Sequence, residues 1–204
     1  MAAASVLLTL LAVIILYFRY NPMMHASPFM VRRFLNWFPL GMSYAFLYMA
    51  RYNLNVASNA LGSKMTIASF GTIFAAGTIT YGLSFLLNGP LVDKWGSKKG
   101  MLLATGGASL ANIAMGIVVY LFLNGQLEVN MTIALAILYS VNMFFQSYGA
   151  VSIIKNKAYW FHVRERGIFG AIFGTLISVG IYFAFDLNSK IADSASANPK
   201  NPGF

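Results

Sequence analysis

Six apolar segments, separated by short polar loops, constrain this chain more than any other feature of its sequence. The segments cover residues of about 3–20, 34–59, 68–92, 99–124, 131–154 and 165–186. Each is close to the roughly 20 residues that a helix needs to cross the hydrocarbon core of a bilayer. Only 9% of the residues are charged, against about 25% in a soluble domain. The sequence therefore predicts an all-α, polytopic transmembrane helix bundle.

Lysine and arginine alternate between rich and poor connections along the chain. The first, third and fifth loops hold Arg19, Arg32, Arg33, Lys94, Lys98, Lys99, Lys155, Lys157, Arg164 and Arg166. The second loop and the tail hold Lys64, Lys190 and Lys200. Because cytoplasmic loops attract lysine and arginine, we expect the basic loops in the cytoplasm and both chain ends outside. In a bacterium this is the inner, or plasma, membrane. We therefore attribute the net charge of +9 to the orientation of the chain in the membrane. We expect no nucleic-acid partner.

The first apolar segment has no positive charge before it, unlike a secretory signal peptide, and arginines follow it. We therefore expect an extra N-terminal transmembrane helix within residues 1–22. The alternative is a misassigned start, with translation beginning at Met23 or Met24. The opposite end, residues 187–204, is rich in Ser, Asn and Pro and predicts a polar external tail, as a loop or a disordered end.

Catalytic and metal-ligating side chains are scarce. Cysteine is absent, and His25 and His162 are the two histidines. The apolar segments contain no pair of histidine and acid, so we expect no enzyme, no metal site and no cofactor. The stretch ATGGASL, at 104–110, lacks the Gly-Lys-Ser/Thr ending of a phosphate-binding loop and lies in an apolar segment, where small residues serve helix packing.

One charged residue, Arg51, lies in the middle of the second segment, in the stretch SYAFLYMARYNLNVAS. A charge at that depth costs at least about 2.5–3.5 kcal/mol on insertion scales, so it usually faces a bundle interior or a watery cavity. Tyr44, Tyr48 and Asn55 share its helical face, at positions −7, −3 and +4. The helix therefore carries a polar stripe of two hydroxyls, an amide and a guanidinium.

Three interpretations of Arg51 are open on sequence alone. Its side chain could extend to the membrane interface, although it lies far from both ends of the segment. It could pair with a carboxylate, although all five acidic residues fall in loops or at segment ends. Its partner could also be an anion from outside the protein, such as a phosphate or carboxylate held by the guanidinium fork. We favour the third interpretation.

The loop GPLVDKWGSKK contains Gly89, Asp93, Lys94, Gly96, Lys98 and Lys99. Gly89 is expected at a close helix contact, Asp93 in an ion pair or a helix cap, and Gly96 in a tight turn. The pattern resembles the signature between the second and third helices of the major facilitator superfamily. That signature is normally written Asp-Arg-x-Gly-Arg-Arg, so lysine replaces arginine at three positions here.

A second stretch, from Phe144 to Phe173, narrows the resemblance. Trp160 and Phe161 precede Glu165, Arg166 and Gly167, as before the fifth helix of the same superfamily. This stretch resembles that of the organophosphate:phosphate antiporters, which include glycerol-3-phosphate and hexose-phosphate transporters. Their first helix carries a Tyr-x-x-x-Tyr-x-x-Arg pattern, which Tyr44, Tyr48 and Arg51 match. The resemblance implies that Arg51 holds a substrate phosphate, and it places Gln146 near the central cavity and Tyr81–Phe85 on the second helix.

Three positions depart from the glycerol-3-phosphate transporters. Phe85 stands for a lysine, Ile177 for a histidine, and Tyr52 for a frequent lysine. The pocket is therefore less basic than theirs, which leaves the particular anion open. Sensors of the same family share these motifs.

The resemblance covers residues 30–190 and implies a partial N-terminal transporter domain with the first five family helices. The expected partners are the lipid bilayer, an anionic small-molecule substrate, inorganic phosphate as a counter-substrate, and the missing C-terminal transporter half. The implied function is secondary active transport of an organic phosphate or related organic anion, by exchange with inorganic phosphate. The alternative is a transporter-like membrane sensor or a non-transporting fragment.

Overall fold

The protein forms an all-α bundle in the computed structural model, which describes residues 2–196. The helices are α1 (Ala2–Arg19), α2 (Ser27–Leu61), α3 (Ile67–Trp95), α4 (Ser97–Leu123), α5 (Met131–Trp160), α6 (Arg166–Tyr182) and α7 (Asn188–Ser196). Short 3₁₀ turns precede α3 and α6, and a π-helical turn at Phe183–Leu187 joins α6 to α7. No β-strand occurs within the described residues. The predicted fold class is confirmed.

The first six helices coincide with the six predicted segments, but two of them extend well beyond the apolar runs. α2 begins at Ser27 with a proline in its first turn, so Arg32 and Arg33 lie in a helix rather than in a loop. α5 continues six residues past the predicted end. The expected loop or disordered end is wrong for residues 188–196, which are helical. The rest of that predicted tail, 197–204, lies outside the described residues.

Four stretches of the described chain are long and apolar enough to cross a membrane. They are Ile67–Trp95, Ser97–Leu123, Met131–Trp160 and Val163–Ile191. α1 contributes a shorter apolar helix, Leu8–Arg19. α2 is long enough, but its arginines and asparagines lower its mean hydropathy, as expected for a helix that faces the interior of a bundle.

The helices pack closely because small residues lie where their axes approach. α5 runs between α3 and α4, and α2 packs on α5, α4 and α6. A Cβ added at Gly77 of α3 would overlap the ring of Tyr139 on α5. A Cβ at Gly107 of α4 would likewise overlap the ring of Phe145. These contacts place two faces of α5 against α3 and α4, and Gln146 of α5 reaches Arg51 on α2.

Gly180 of α6 provides a test of this packing. A Cβ at position 180 would overlap the backbone carbonyl of Ala45 on α2, and backbone cannot move aside as a side chain can. We expect Gly180→Ala to destabilise the bundle by about 1–3 kcal/mol, as overpacking does. The control is Gly174→Ala on the same helix, where nothing lies within 4 Å of the added Cβ. Alanine favours helix, so this control should unfold at the same temperature or higher. Equal thermal unfolding of both variants in detergent would contradict the packing described here.

Candidate functional site

Arg51 lies inside the bundle, against helices α3 and α5. Its Nε donates a hydrogen bond of 2.9 Å to Oε1 of Gln146. Its guanidinium carbon lies 4.7 Å from the ring centroid of Tyr48 and 4.5 Å from that of Tyr81, which are cation–π distances. The structure therefore brings three side chains from three helices onto one cation.

No carboxylate neutralises Arg51 within the part of the chain that the structure describes. The ion pairs there join Arg33 and His25 to Glu165, Lys155 to Asp93, and Lys190 to Asp186. Nη2 of Arg51 is buried and has no hydrogen-bond partner among these residues. A buried donor without a partner is rare in native proteins, and its cost is larger when the donor is charged. The arrangement leaves Nη2 of a buried cation without an acceptor among the described residues.

A chain of amides holds Gln146 in place. Nε2 of Gln146 donates to Oδ1 of Asn142 at 2.6 Å, and Nδ2 of Asn142 lies 3.5 Å from the carbonyl oxygen of Ala108 on α4. Both amide side chains are fully buried. None of the sequence motifs includes Asn142, although its spacing of four residues from Gln146 on an apolar helix is a usable signal.

The other two predicted binding residues, Tyr44 and Asn55, differ in their contacts. The hydroxyl of Tyr44 lies 3.5 Å from that of Tyr81, and the Tyr44 ring packs edge-on against Tyr48 at 5.2 Å. Tyr44 therefore belongs to the same cluster of rings. Asn55 lines a separate groove of about 410 Å³ with Ser58 and Asn59, and no described contact joins it to Arg51. Its Oδ1 is buried without a hydrogen-bond partner among the described residues.

The residues that depart from the family pattern lie near this cluster. Phe85 packs edge-on against Tyr81, with ring centroids 4.9 Å apart. It is therefore one ring removed from Arg51. Ile177 of α6 packs at the margin of the core that contains Tyr44, and Tyr52 stacks at a tilt on Phe185.

The loop motif at 89–99 contains the tight turn between α3 and α4. Its Asp93 also links α3 to α5. Gly96 alone separates α3 from α4, with φ of 90°, a conformation that glycine adopts without strain. Lys155 of α5 donates to the Asp93 carboxylate at 3.1 Å and to its carbonyl oxygen at 2.5 Å. The side chains of Lys94, Lys98 and Lys99 are exposed at this turn. The expectation for Gly89 is wrong in this structure, because nothing lies within 4 Å of a Cβ added there.

The second motif is a buried ion pair rather than a solvated loop. Glu165 accepts two hydrogen bonds of 3.0 Å from Nη1 of Arg33, and both residues are nearly inaccessible. Nε of Arg33 donates to the hydroxyl of Tyr17 on α1 at 2.9 Å. The expectation that Arg33 lies in a solvated loop is therefore wrong. The pair fastens the start of α6 to α2 and α1.

The other two residues of that motif differ in their contacts. Arg166 donates to the carbonyl oxygens of Ala158 and Phe161, at 3.0 and 3.2 Å. These carbonyls end α5 and have no partner further along the helix, so a cation there is favourable. Gly167 is exposed, and nothing lies within 4 Å of a Cβ added there.

The apolar helices describe an integral membrane protein, and Arg51 is an interior cation without an acidic partner among residues 2–196. The sequence profile of the Major Facilitator Superfamily matches residues 40–196, which is most of the chain. The chain belongs to the major facilitator superfamily. Helix α1 and the first part of α2 lie outside the matched stretch.

The chain resembles two membrane sensor proteins, both called UhpC. The chain is 29% identical over 147 residues to the membrane sensor protein UhpC of Escherichia coli (strain K12). It is 28% identical over 144 residues to the membrane sensor protein UhpC of Salmonella typhimurium (strain LT2). Each alignment covers 68% of this chain and 30% or 29% of the relative, so the chain spans less than a third of their length. No solved structure matches.

Proposed function

We propose that this chain is the N-terminal part of a secondary active transporter for an organic phosphate or a related organic anion. In this proposal residues 30–190 form five helices of one transporter half, and Arg51 binds the anion. The observation that supports it is the buried Nη2 of Arg51, which has no acceptor within residues 2–196. Binding an anion there would satisfy both the orphaned donor and the uncompensated charge.

In this proposal the anion contacts the Nη end of the guanidinium. Gln146 already occupies Nε, which closes the side formed by Nε and Nη2 to a two-bond contact. Gln146 is neutral, so it orients the cation without neutralising it. The hydroxyls of Tyr44 and Tyr81 are further donors beside the guanidinium. A phosphate, with several acceptor oxygens, can use the cation and a hydroxyl together.

We propose that an organic phosphate exchanges for inorganic phosphate because both bind to Arg51. An organic phosphate and inorganic phosphate would compete for the same guanidinium, so one leaves as the other binds. Superfamily folds bind substrate near the bilayer midplane between two halves that rock against each other. We propose that a second half supplies the facing wall, and that the Lys155–Asp93 pair steadies one of the two conformations. The basic loops would face the cytoplasm.

A transporter-like sensor is the second candidate, because both relatives described above are named membrane sensors. Binding at Arg51 is common to the two candidates, and flux separates them. Labelled phosphate exchange by proteoliposomes that hold a longer protein including this sequence would indicate a carrier. Saturable binding without flux by the same protein would indicate a sensor.

The binding proposal is tested on the 204-residue chain in lipid nanodiscs. We expect inorganic phosphate and glycerol-3-phosphate to bind saturably and to displace each other in calorimetric titrations. In proteoliposomes we expect no uptake by the same chain, since in this proposal a second half supplies the facing wall of the cavity. Failure to bind either anion would overturn the binding proposal, and robust uptake by the isolated chain would overturn the need for a second half.

A further inference from the structure

We propose that Asn142 is a positioning residue for the anion site, and that it acts on Arg51 through Gln146. The inference rests on the proposed function for its consequence, but the positioning itself is a property of the unliganded protein. Asn142 lies on α5 between Gln146 and the backbone of α4, and it is completely buried. None of the motifs considered in the sequence includes it.

The two ends of the amide chain determine the orientation of both amides. At one end stands the carbonyl oxygen of Ala108, which can only accept a hydrogen bond, and the NH₂ group of Asn142 faces it at 3.5 Å. The carbonyl oxygen of Asn142 then faces Gln146 and receives its NH₂ group. At the other end stands Nε of Arg51, which can only donate. The oxygen of Gln146 faces it, so each link of the chain pairs one donor with one acceptor.

This matching of donors with acceptors matters because a glutamine amide can exchange the positions of its oxygen and nitrogen at little cost when no neighbour fixes them. A reversed Gln146 would direct its NH₂ group at the guanidinium, and two donors would then face each other. Without Asn142, the NH₂ group of Gln146 loses its acceptor in a buried position, and the normal orientation loses its advantage. Arg51 would then be free to move away from the position in which its Nη2 awaits an anion.

A control variant is available at the same carbonyl. Asn112 of α4 also donates to the oxygen of Ala108, at 2.9 Å, but it lies on the groove side of α4 and has no described contact with Gln146. Asn112→Leu therefore removes an amide of the same kind from the same acceptor and leaves the links from Asn142 to Gln146 and from Gln146 to Arg51 in place. Asn142→Leu removes the amide that belongs to the chain.

The first readout needs no anion. The chain is labelled with ¹⁵N-arginine in nanodiscs, and the Nε resonance of Arg51 is assigned through Arg51→Lys. We expect Asn142→Leu to shift or broaden this resonance as Gln146→Met does, and Asn112→Leu to leave it unchanged. In the Gln146→Met background, Asn142→Leu should add no further change, since Asn142 acts through Gln146. Should Asn142→Leu fail to fold by circular dichroism, Asn142→Ser replaces it. An unchanged Nε resonance in a folded Asn142 variant overturns the proposal.

The second readout is calorimetric titration with inorganic phosphate. We expect Asn142→Leu to weaken binding by about tenfold, the size expected when a hydrogen bond to a charged group is disturbed, and Asn112→Leu to bind as the unchanged chain does. Equal binding by both variants would overturn the effect on the site. If the unchanged chain binds no phosphate, the proposed function fails, and the Nε resonance still decides whether Asn142 positions Arg51.

Discussion

Arg51→Lys is expected to weaken phosphate binding by about tenfold, and Arg51→Met to abolish it. Lysine keeps the charge, but it loses the planar group that contacts Gln146 and the two tyrosine rings. Its ammonium is also more strongly hydrated, so it is less easily held between aromatic rings. Methionine removes the cation altogether and leaves a site of neutral donors. The measurement is the dissociation constant of inorganic phosphate by calorimetry on each variant in nanodiscs.

The matched control for this prediction is Arg32→Lys. Arg32 lies on the same helix and is exposed, so its replacement changes the same kind of side chain outside the site. We expect the phosphate affinity of this variant to stay unchanged. If Arg51→Lys also binds phosphate with unchanged affinity, Arg51 does not hold the anion, and the role assigned to it is wrong.

Glu165→Gln is expected to destabilise the protein by about 3–5 kcal/mol, the largest effect on stability among these variants. The carboxylate of Glu165 is the acidic partner of the buried Arg33, and glutamine leaves that guanidinium without a counter-charge. The loss would separate the start of α6 from α2 and free Tyr17 of α1 from its bond to Arg33. The measurement is thermal unfolding of the variant in detergent, followed by circular dichroism.

Two further variants separate pairing from the loss of any acidic group. The exposed Glu128 provides the control, and Glu128→Gln should unfold with the unchanged chain. In the double variant Arg33→Met, Glu165→Leu, apolar side chains replace both charges. It should recover most of the stability, because removing a buried pair together is often neutral. If the double variant loses as much stability as Arg33→Met and Glu165→Leu lose separately when added together, the pair is not coupled.

The sequence predicts the six apolar helices well because each apolar run is long and a membrane helix satisfies its own backbone. The polar face of α2 is equally accessible to prediction, since 3.6-residue spacing puts Tyr48 beside Arg51 without reference to other helices. Helix ends are less predictable. Arg33 resembles a solvated loop residue in the sequence because Glu165, the partner that allows its burial, is 132 residues away in the chain.

The site is only partly predictable from the sequence, because residues that are in contact there are far apart in the chain. The family resemblance indicates Gln146, whose hydrogen bond to Arg51 spans 95 residues of sequence. The resemblance gives Tyr81 no role, although its ring covers the guanidinium. Asn142 has a local signal in its spacing from Gln146, but the carbonyl that fixes its direction belongs to another helix. The spacing of residues in the sequence identifies those that share one face of a helix. Only the packing of the helices identifies the residues that this face contacts.

The central claim is that Arg51 has an anion as its partner. The most direct test follows the side-chain resonances of ¹⁵N-labelled arginine in the nanodisc-embedded chain during titration with inorganic phosphate. We expect a saturable shift of the Arg51 side-chain resonances, with the midpoint at the calorimetric dissociation constant. The exposed Arg32 should show no such shift. Phosphate binding that leaves the Arg51 resonances unchanged would show that the anion binds elsewhere.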